Sequence, residues 1–317
     1  MKYKYIIIDA NNLGYRLFYK NIDRTLLKIS NKFIYKNFAK DYIDTVSLLK
    51  NTYNSEEIIL LFDNHTSKEE LKKAFQLDKQ VSRKDIKETY KSNRKKEKNE
   101  FYETLNFIKY YYMVGDKHYH TVQIFKLEAD DLVAPCLNTI IKKDSALFVT
   151  NDSDWTRYIS DNKHYLPESF NHPWTIDEFK YTYGFYPNED SVILHKILYG
   201  DSADNIDIIF PEIPISIREK IIQDYESIFD LIINTSKKSY MKEYSLLIKE
   251  RESLLKINYQ LLSTIPVSNE QFLSHYTSGR ESNKLIKAIE DIIYDKKEKN
   301  KAFEFGGIKV PRVTPKE

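Results

Sequence analysis

The sequence predicts an α/β fold: a central, mostly parallel sheet flanked by helices, followed by a helical C-terminal region. Three observations carry this. Short, β-branched apolar runs recur at Tyr5–Ile8, Ile58–Phe62 and Ala146–Val149, each the length of a buried strand. Helical patterns separate them, at Phe38–Thr52 and Asp131–Lys142, and strand–helix alternation is the signature of parallel strands joined by crossovers. Each strand then runs into aspartate: Asp9, Asp63, and Asp152 with Asp154. Sites in such sheets lie outside the carboxyl ends of the strands, so acids that are distant in sequence are expected on one rim.

The remaining elements follow in order. Lys79 to Glu100, KQVSRKDIKETYKSNRKKEKNE, is polar and mostly basic, with Val81, Ile86 and Tyr90 as its apolar residues. Such a segment reads either as a solvated surface helix or loop or as a cationic element that a phosphate backbone passes. FKLEADDLVAP, Phe125 to Pro135, places Glu128, Asp130 and Asp131 within four residues, just before an apolar run. One carboxylate in a first helical turn is favoured by the free N–H groups there; three are more than a helix start needs, and each repels the others. SVILHKILYGDSADNI carries an apolar helical face, then Gly200, then Asp201 and Asp204, which share a face if that stretch is helical. Ile217–Ile233 and Tyr240–Leu262 read as further helices. After Lys296 charge and proline become dense, as in a flexible tail. The organisation expected is a core over residues 1–200 with the basic segment at 79–100, a helical subdomain at 201–295, and a tail at 296–317.

Composition narrows the functional class. Hydrophobic content of 41% is that of a folded globular protein, and the 49 basic and 47 acidic residues nearly cancel, to +2. A balance that small excludes a simple polycationic coat for nucleic acid, while leaving room for acid gathered in a site with base around it. The 25 tyrosines can pack, cover a half-wet surface or stack on bases. The single Cys136 excludes a disulfide framework and reads as a buried core residue. The apolar run at the N-terminus is too short for a signal segment and no stretch approaches a transmembrane span, so a cytoplasmic location and no membrane partner are expected.

The acids to explain are Asp9, Asp63, Glu128, Asp130, Asp131, Asp152, Asp154, Asp201 and Asp204. No His or Cys joins them at ligand spacing, which argues against zinc; all-oxygen ligation suits Mg²⁺ or Mn²⁺. So many carboxylates on one rim could not all ionise without cations. Two metal ions about 4 Å apart would neutralise them and serve phosphoryl chemistry.

IIIDANNLGYR, LLFDN, ETYKSNR, LEADDLVA, TNDSDW and LYGDSADNI stand in this order, and together they resemble the 5′-nuclease superfamily, most of all the bacteriophage flap endonucleases and phage ribonuclease H. The resemblance runs from about Tyr5 to Ile233, with a weaker echo at KINYQLLSTIP. It implies a PIN-like sheet with a helical arch and a C-terminal helix-hairpin-helix duplex clamp, and two Mg²⁺ with Mn²⁺ as substitute. Asp9, Asp63, Glu128 and Asp130 would surround one ion; Asp154, Asp201 and Asp204 would surround the other, with Asp131 and Asp152 between or behind them. In the family YKSNR, here Tyr90 to Arg94, belongs to the arch, so Lys91 and Arg94 would face the scissile phosphate. Arg83, Tyr90 and Lys196 join them as nucleic-acid contacts, Lys196 having a helix-surface charge as its plain alternative. One departure stands out. Where the family carries a glycine-rich turn after its GDxxDN motif, this chain reads IDIIFPEIPISIREKII, without glycine and with Pro211 and Pro214, each lacking an N–H. The clamp is therefore expected to be remodelled, and its bound potassium ion is in question.

The resulting expectation is a monomeric, metal-dependent 5′-nuclease acting on 5′ flaps and 5′ ends of DNA or on RNA–DNA duplexes, in primer or flap removal during replication. The tail would meet a replication partner such as a single-strand binding protein or a clamp. The competing readings are a non-catalytic binder of branched nucleic acid, which the loss of an acid would signal, and a PIN-type ribonuclease, which needs fewer acids and no arch.

Overall fold

The computed structural model describes residues 2–21, 31–64, 99–167 and 172–294. Its centre is a six-stranded sheet in the order β5-β4-β1-β2-β3-β6. β1 (Tyr5–Asp9), β2 (Glu57–Leu61), β3 (Tyr119–Val122), β4 (Ala146–Val149) and β5 (Lys163–Leu166) run parallel, and the two-residue β6 (Thr277–Ser278) closes the edge antiparallel to β3. The three strands legible in the sequence are the three central ones. The strands beyond them have four residues or fewer, too short and too polar to stand out.

Period-two alternation sorts the central strands onto two cores. Ile7, Ile59, Leu61 and Phe148 face one, while Ile6, Ile8, Ile58, Leu60, Leu147 and Val149 face the other. Both faces are covered, as a parallel sheet requires. The second core takes the helices Ala10–Asn21, Asn31–Thr52 and Asn99–Val114, and Ile289 and Ile293 from the terminal helix Asn283–Tyr294. The first takes the helix Glu189–Tyr199 and everything from Ile206 to Phe272 that is apolar and buried. The C-terminal helices thus share an apolar core with the sheet. Cys136 is buried there, and burial pushes its thiol pKa up.

Several helical stretches are shorter than the sequence pattern suggests. The expected helix over 131–142 is a 3₁₀ turn, Ala129–Leu132, then a short α-helix, Val133–Cys136, then a π turn, Leu137–Ile141. Pro135 is tolerated because it sits in a first turn, where an N–H has no partner to lose. The expected helix over 217–233 is two, Ile215–Asp224 and Ile228–Asn234, because Ser227 caps a new start by accepting a hydrogen bond from the Asp230 amide at 3.1 Å. Tyr240–Leu262 is likewise divided into a 3₁₀ turn, Ser239–Tyr244, and the helices Ser245–Glu250 and Glu252–Leu262.

Asp201 and Asp204 are not on a helix. Glu189–Tyr199 ends at Gly200, whose φ of 79° and ψ of 165° only glycine adopts readily. A side chain there would also press on the Ile206 carbonyl at 3.2 Å. The chain then makes a tight loop in which Asp201 and Ile206 exchange two backbone hydrogen bonds, both 2.8 Å, with Asn205 at φ 60°.

The connection from this loop to Ile215–Asp224 is the glycine-free stretch flagged above. Its peptide oxygens turn inward onto one buried guanidinium. Arg218 donates to the carbonyls of Ile213 (2.8 Å), Phe210 (3.0 Å) and Pro211 (3.2 Å). Arg251 donates to the Ile209 carbonyl and pairs with Glu212. A side chain therefore does the work that glycine-dependent backbone geometry would otherwise do. Removing it leaves several carbonyls without a donor, at a cost of about 3 kcal/mol. Arg218→Met should accordingly lower the free energy of unfolding by that amount, read as a lower urea midpoint without a change in m-value, and Arg218→Lys should recover only part, since lysine lacks the planar fork. An unaltered midpoint would mean that Pro211 and Pro214 hold the turn unaided.

Candidate active site

The parallel strands bring their carboxyl ends to one rim, and a cleft of about 410 Å³ opens there. Seven of the nine acids line it: Asp9, Asp63, Glu128, Asp130, Asp152, Asp201 and Asp204. The remaining lining is mostly polar, with Asn11, Asn12, Asn151 and Ser153, plus Tyr15 and, among the described residues, a single cationic side chain, Lys196.

Each acid is aimed by local backbone. Asp9 ends β1; one carboxylate oxygen accepts from the Asn12 amide at 2.9 Å and the other from the Thr150 hydroxyl at 3.0 Å, tying β1 to β4. Asn12 repeats that tie by accepting from the Asn151 amide at 3.0 Å. Asp63 follows β2 and accepts from the Ala129 amide at 2.8 Å, which seats the Glu128–Asp131 turn against the strand end. Asn11 accepts from the Asp63 amide at 3.2 Å. Asp152 caps the 3₁₀ turn Ser153–Tyr158 by accepting from the Asp154 amide at 2.9 Å. Asp201 accepts from the Ala203 amide at 3.0 Å within its loop.

Two acids point elsewhere. Asp131, 1% exposed, accepts from its own Glu128 amide at 3.1 Å and from the Ile265 amide at 2.7 Å. It fastens the turn and a distant C-terminal segment rather than lining the cleft. Asp154, 5% exposed, gives one carboxylate oxygen to Arg157 Nη2 at 2.6 Å and to Lys196 Nζ at 2.8 Å. The acidic triplet of the 128–131 stretch is thus divided: Glu128 and Asp130 face the cleft, and Asp131 caps.

Lys196 is buried, not a surface charge. Its ammonium spans Asp154 and Asp201, the latter at 2.7 Å. Burial opposes its charge, but Asp154, Asp152 and Asp201 outweigh that and hold its pKa above the usual lysine value. Next to it, His195 is lowered to about 4 by burial and by Lys196, so it is a neutral ring at physiological pH, stacked on Tyr199 at 4.7 Å. Sequence reasoning missed Asn11, Asn12, Asn151, Tyr15 and Arg157; all lie in or beside the motifs that carry the acids, Tyr15 near the end of IIIDANNLGYR and one turn into the helix after Asp9. Lys91, Arg94, Arg83 and Tyr90 lie outside the described residues, as does the tail.

The donor set suits a hard divalent cation. It is all oxygen, and among the described residues it is short of positive charge, with one lysine among seven acids. Among the described residues no three acidic, histidine or cysteine side chains stand close enough to enclose an ion by themselves. An ion here would therefore take one or two carboxylates and complete its shell with water, which is how Mg²⁺ is ordinarily held.

Comparison with known proteins agrees with this architecture. The family model of the 5′-3′ exonuclease N-terminal, resolvase-like domain matches residues 4–184. The bacteriophage T5 protein co-crystallised with metal ions superposes with a TM-score of 0.58 at 20% identity, over 92% of this chain and 96% of that one. The T5 flap endonuclease in a pseudo-enzyme–product complex with DNA and metal ions gives 0.60 at 20% identity, over 92% and 94%. Human GEN1 in complex with Holliday junction DNA gives 0.53 at 12% identity, over 91% and 67%. No curated protein matches by sequence. At these identities the structural likeness shows the fold: the mostly parallel sheet flanked by helices.

Asp9 exposes the electrostatic cost of the cleft. Burial first, then Asp63 and Asp152, raise its pKa well above the usual carboxylate value. A pKa raised by folding contributes stability that is full below the unfolded value, near about 4, and is lost as pH climbs through the folded value. Above that window the ionised Asp9 is a burden to the metal-free protein. Asp9→Asn should therefore raise Tm at neutral pH and not at about pH 4. Mg²⁺ should raise the Tm of the parent protein more than that of the variant, by linkage. Identical melting curves for the two proteins across pH would contradict this assignment.

Proposed function

The chain belongs to the 5′-3′ exonuclease N-terminal, resolvase-like domain family, within the 5′-nuclease superfamily, and from that premise we propose that it is a metal-dependent 5′-nuclease. The reading has it hydrolyse phosphodiester bonds at 5′ flaps and 5′ ends of DNA, or of the RNA strand in RNA–DNA duplexes. The observation that carries it is the cleft itself: seven carboxylates from five separate segments on one rim, with a single ammonium among them in the described residues. A site that only held a folded core together would have no reason to gather that much like charge.

Divalent ions bound there would supply an activated water and stabilise charge on the phosphate and leaving oxygen. The chain's own residues do the rest. Asp9, Asp63, Glu128 and Asp130 form one group of acids, of which one or two would hold an ion together with water. Asp201, Asp204 and Asp152 form the other group and would act in the same way, while Asp154, which the motifs put in this second group, stands behind them as the anchor of Lys196. The cleft walls position the scissile phosphate between the two groups. Lys196 limits the repulsion on the Asp201 side, where phosphate oxygens would approach. Lys91 and Arg94, with Arg83 and Tyr90, are assigned to the incoming 5′ strand on the strength of the motif match. The product keeps its phosphate on the 5′ side. The proposed setting is primer or flap removal in the cytoplasm, in a host cell for a phage-encoded chain, by a monomer whose tail meets a replication partner.

The test is digestion of a 5′-labelled flap duplex, a nicked duplex and an RNA–DNA hybrid, with Mg²⁺ and with EDTA. Cleavage should require the metal, and Asp201→Asn should lower turnover on the order of 100-fold or more while flap binding persists in Ca²⁺. No cleavage of any of the three substrates by the parent protein, or full activity in Asp201→Asn, would overturn the reading. In the same assay Arg94→Ala should weaken flap binding and reduce the salt slope by about 1, as for one lost phosphate contact. Lys91→Ala should lower turnover more than binding, because its charge counts most where negative charge develops.

A further inference from the structure

Beneath the cleft a run of charges continues from the motif acids to Arg157, a residue that none of the motifs contains. Arg157 is 5% exposed and sits at the end of the 3₁₀ turn Ser153–Tyr158. Its Nε donates to the Asp154 carbonyl at 2.7 Å and its Nη2 to the Asp154 carboxylate at 2.6 Å. The other side of the fork reaches across the fold. Nη1 and Nη2 both donate to the Leu262 carbonyl, at 3.1 and 3.2 Å, the last residue of the helix Glu252–Leu262. From Asp154 the run continues to Lys196 at 2.8 Å and from Lys196 to Asp201 at 2.7 Å, inside the cleft. Leu262 carbonyl, Arg157, Asp154, Lys196 and Asp201 therefore form one strut of alternating charge. Its side chains become more exposed toward the cleft, from 1% at Arg157 through 7% and 8% to 14% at Asp201. Three residues past Leu262 a second tie crosses the same gap, from the Ile265 amide to Asp131.

We propose that Arg157 is a positioning residue for the nuclease centre: by binding Asp154 and the Leu262 carbonyl at once, it makes the end of a C-terminal helix a working part of the cleft. The physical logic is that of a planar fork. Arg157 presents donors in fixed directions, so the direction of the Asp154 carboxylate is set by where Leu262 stands. Asp154 in turn fixes the Lys196 ammonium, and Lys196 fixes Asp201. Without Arg157 the buried Asp154 would carry Lys196 alone. The ammonium, shared between two carboxylates now unequal in their support, would shift from its midpoint. Charge alone does not achieve this, because a point-charge cation on Asp154 has no hold on Leu262.

The proposal rests on the nuclease reading for what the cleft does, and the test separates the two. Arg157→Met and Arg157→Lys are compared with the parent protein and with Glu189→Gln. That control removes the charge at the outer contact of Arg157, 3.5 Å away on a half-exposed side chain that also accepts from the Thr264 hydroxyl at 3.4 Å. On a flap duplex, kcat should fall on the order of 100-fold in Arg157→Met with binding in Ca²⁺ unchanged. Arg157→Lys should lie between Met and the parent, and Glu189→Gln should match the parent. Independently of activity, amide hydrogen exchange in metal-free protein should rise together at residues 152–159 and 261–266 in both Arg157 variants, while the amides of β1 and β4 stay protected. Parental kcat in a folded Arg157 variant, or faster exchange in one segment without the other, overturns the proposal. If Arg157→Met does not fold, Arg157→Lys, which keeps the charge on Asp154, carries both measurements. If the parent protein cleaves nothing, the exchange result still decides whether the strut exists.

Discussion

Mutual repulsion among carboxylates is the constraint around which this protein is built. Among the described residues seven of them share one cleft with one ammonium, in surroundings where burial already disfavours charge. The fold does not relieve this by moving the acids apart. It fixes them with backbone donors: the amides of Asn12, Ala129, Asp154 and Ala203 each hold a carboxylate oxygen. A peptide N–H on a strand end or tight loop has no freedom to turn away, so these contacts set direction as well as energy. What remains uncompensated is visible at Asp9, a buried strand-end acid whose proton affinity is raised by burial and by Asp63.

The sheet explains why those donors are where they are. β1 lies between β2 and β4, all parallel, with Asp9 paired to Leu61 on one side and Ile8 to Val149 on the other. That register places the loops after three strands within hydrogen-bond reach of one another. Thr150 reaches Asp9, Asn12 reaches Asn151, and Asn11 reaches Asp63. The asparagines are the cross-links, neutral groups that can both donate and accept without adding to the charge.

Away from the rim, arginines replace what backbone geometry alone would have to provide. Arg218 gathers the carbonyls of a turn that has no glycine, and Arg157 fastens a helix end to Asp154 beside the cleft. Both are buried at the junction between the sheet's helices and the C-terminal helices. Buried cations of this kind stabilise little by themselves, because desolvation cancels most of the attraction. Their effect is on specificity of arrangement, since removing one strands its partners in a dry environment.

Much of this could be read from the chain. Short β-branched runs ending in aspartate determined the central strands, their parallel order and the rim on which acids collect, because a buried parallel strand must be apolar along its length and its site must lie at its carboxyl end. The ordered motifs determined the family. Other features depended on contacts between residues far apart in sequence, which no local pattern encodes. Asp131 looks like its neighbours Glu128 and Asp130 in sequence, and only the approach of Ile265 makes it a cap. Asp201 and Asp204 have helical spacing yet sit on a loop, because Gly200 ends the helix and Ile206 closes the turn. Lys196 has the look of a surface lysine, and it is the packing of its helix against the Ser153–Tyr158 turn that buries it between two acids. Sequence period decides which face a residue takes; which partner it meets there is decided by elements that arrive from elsewhere in the chain.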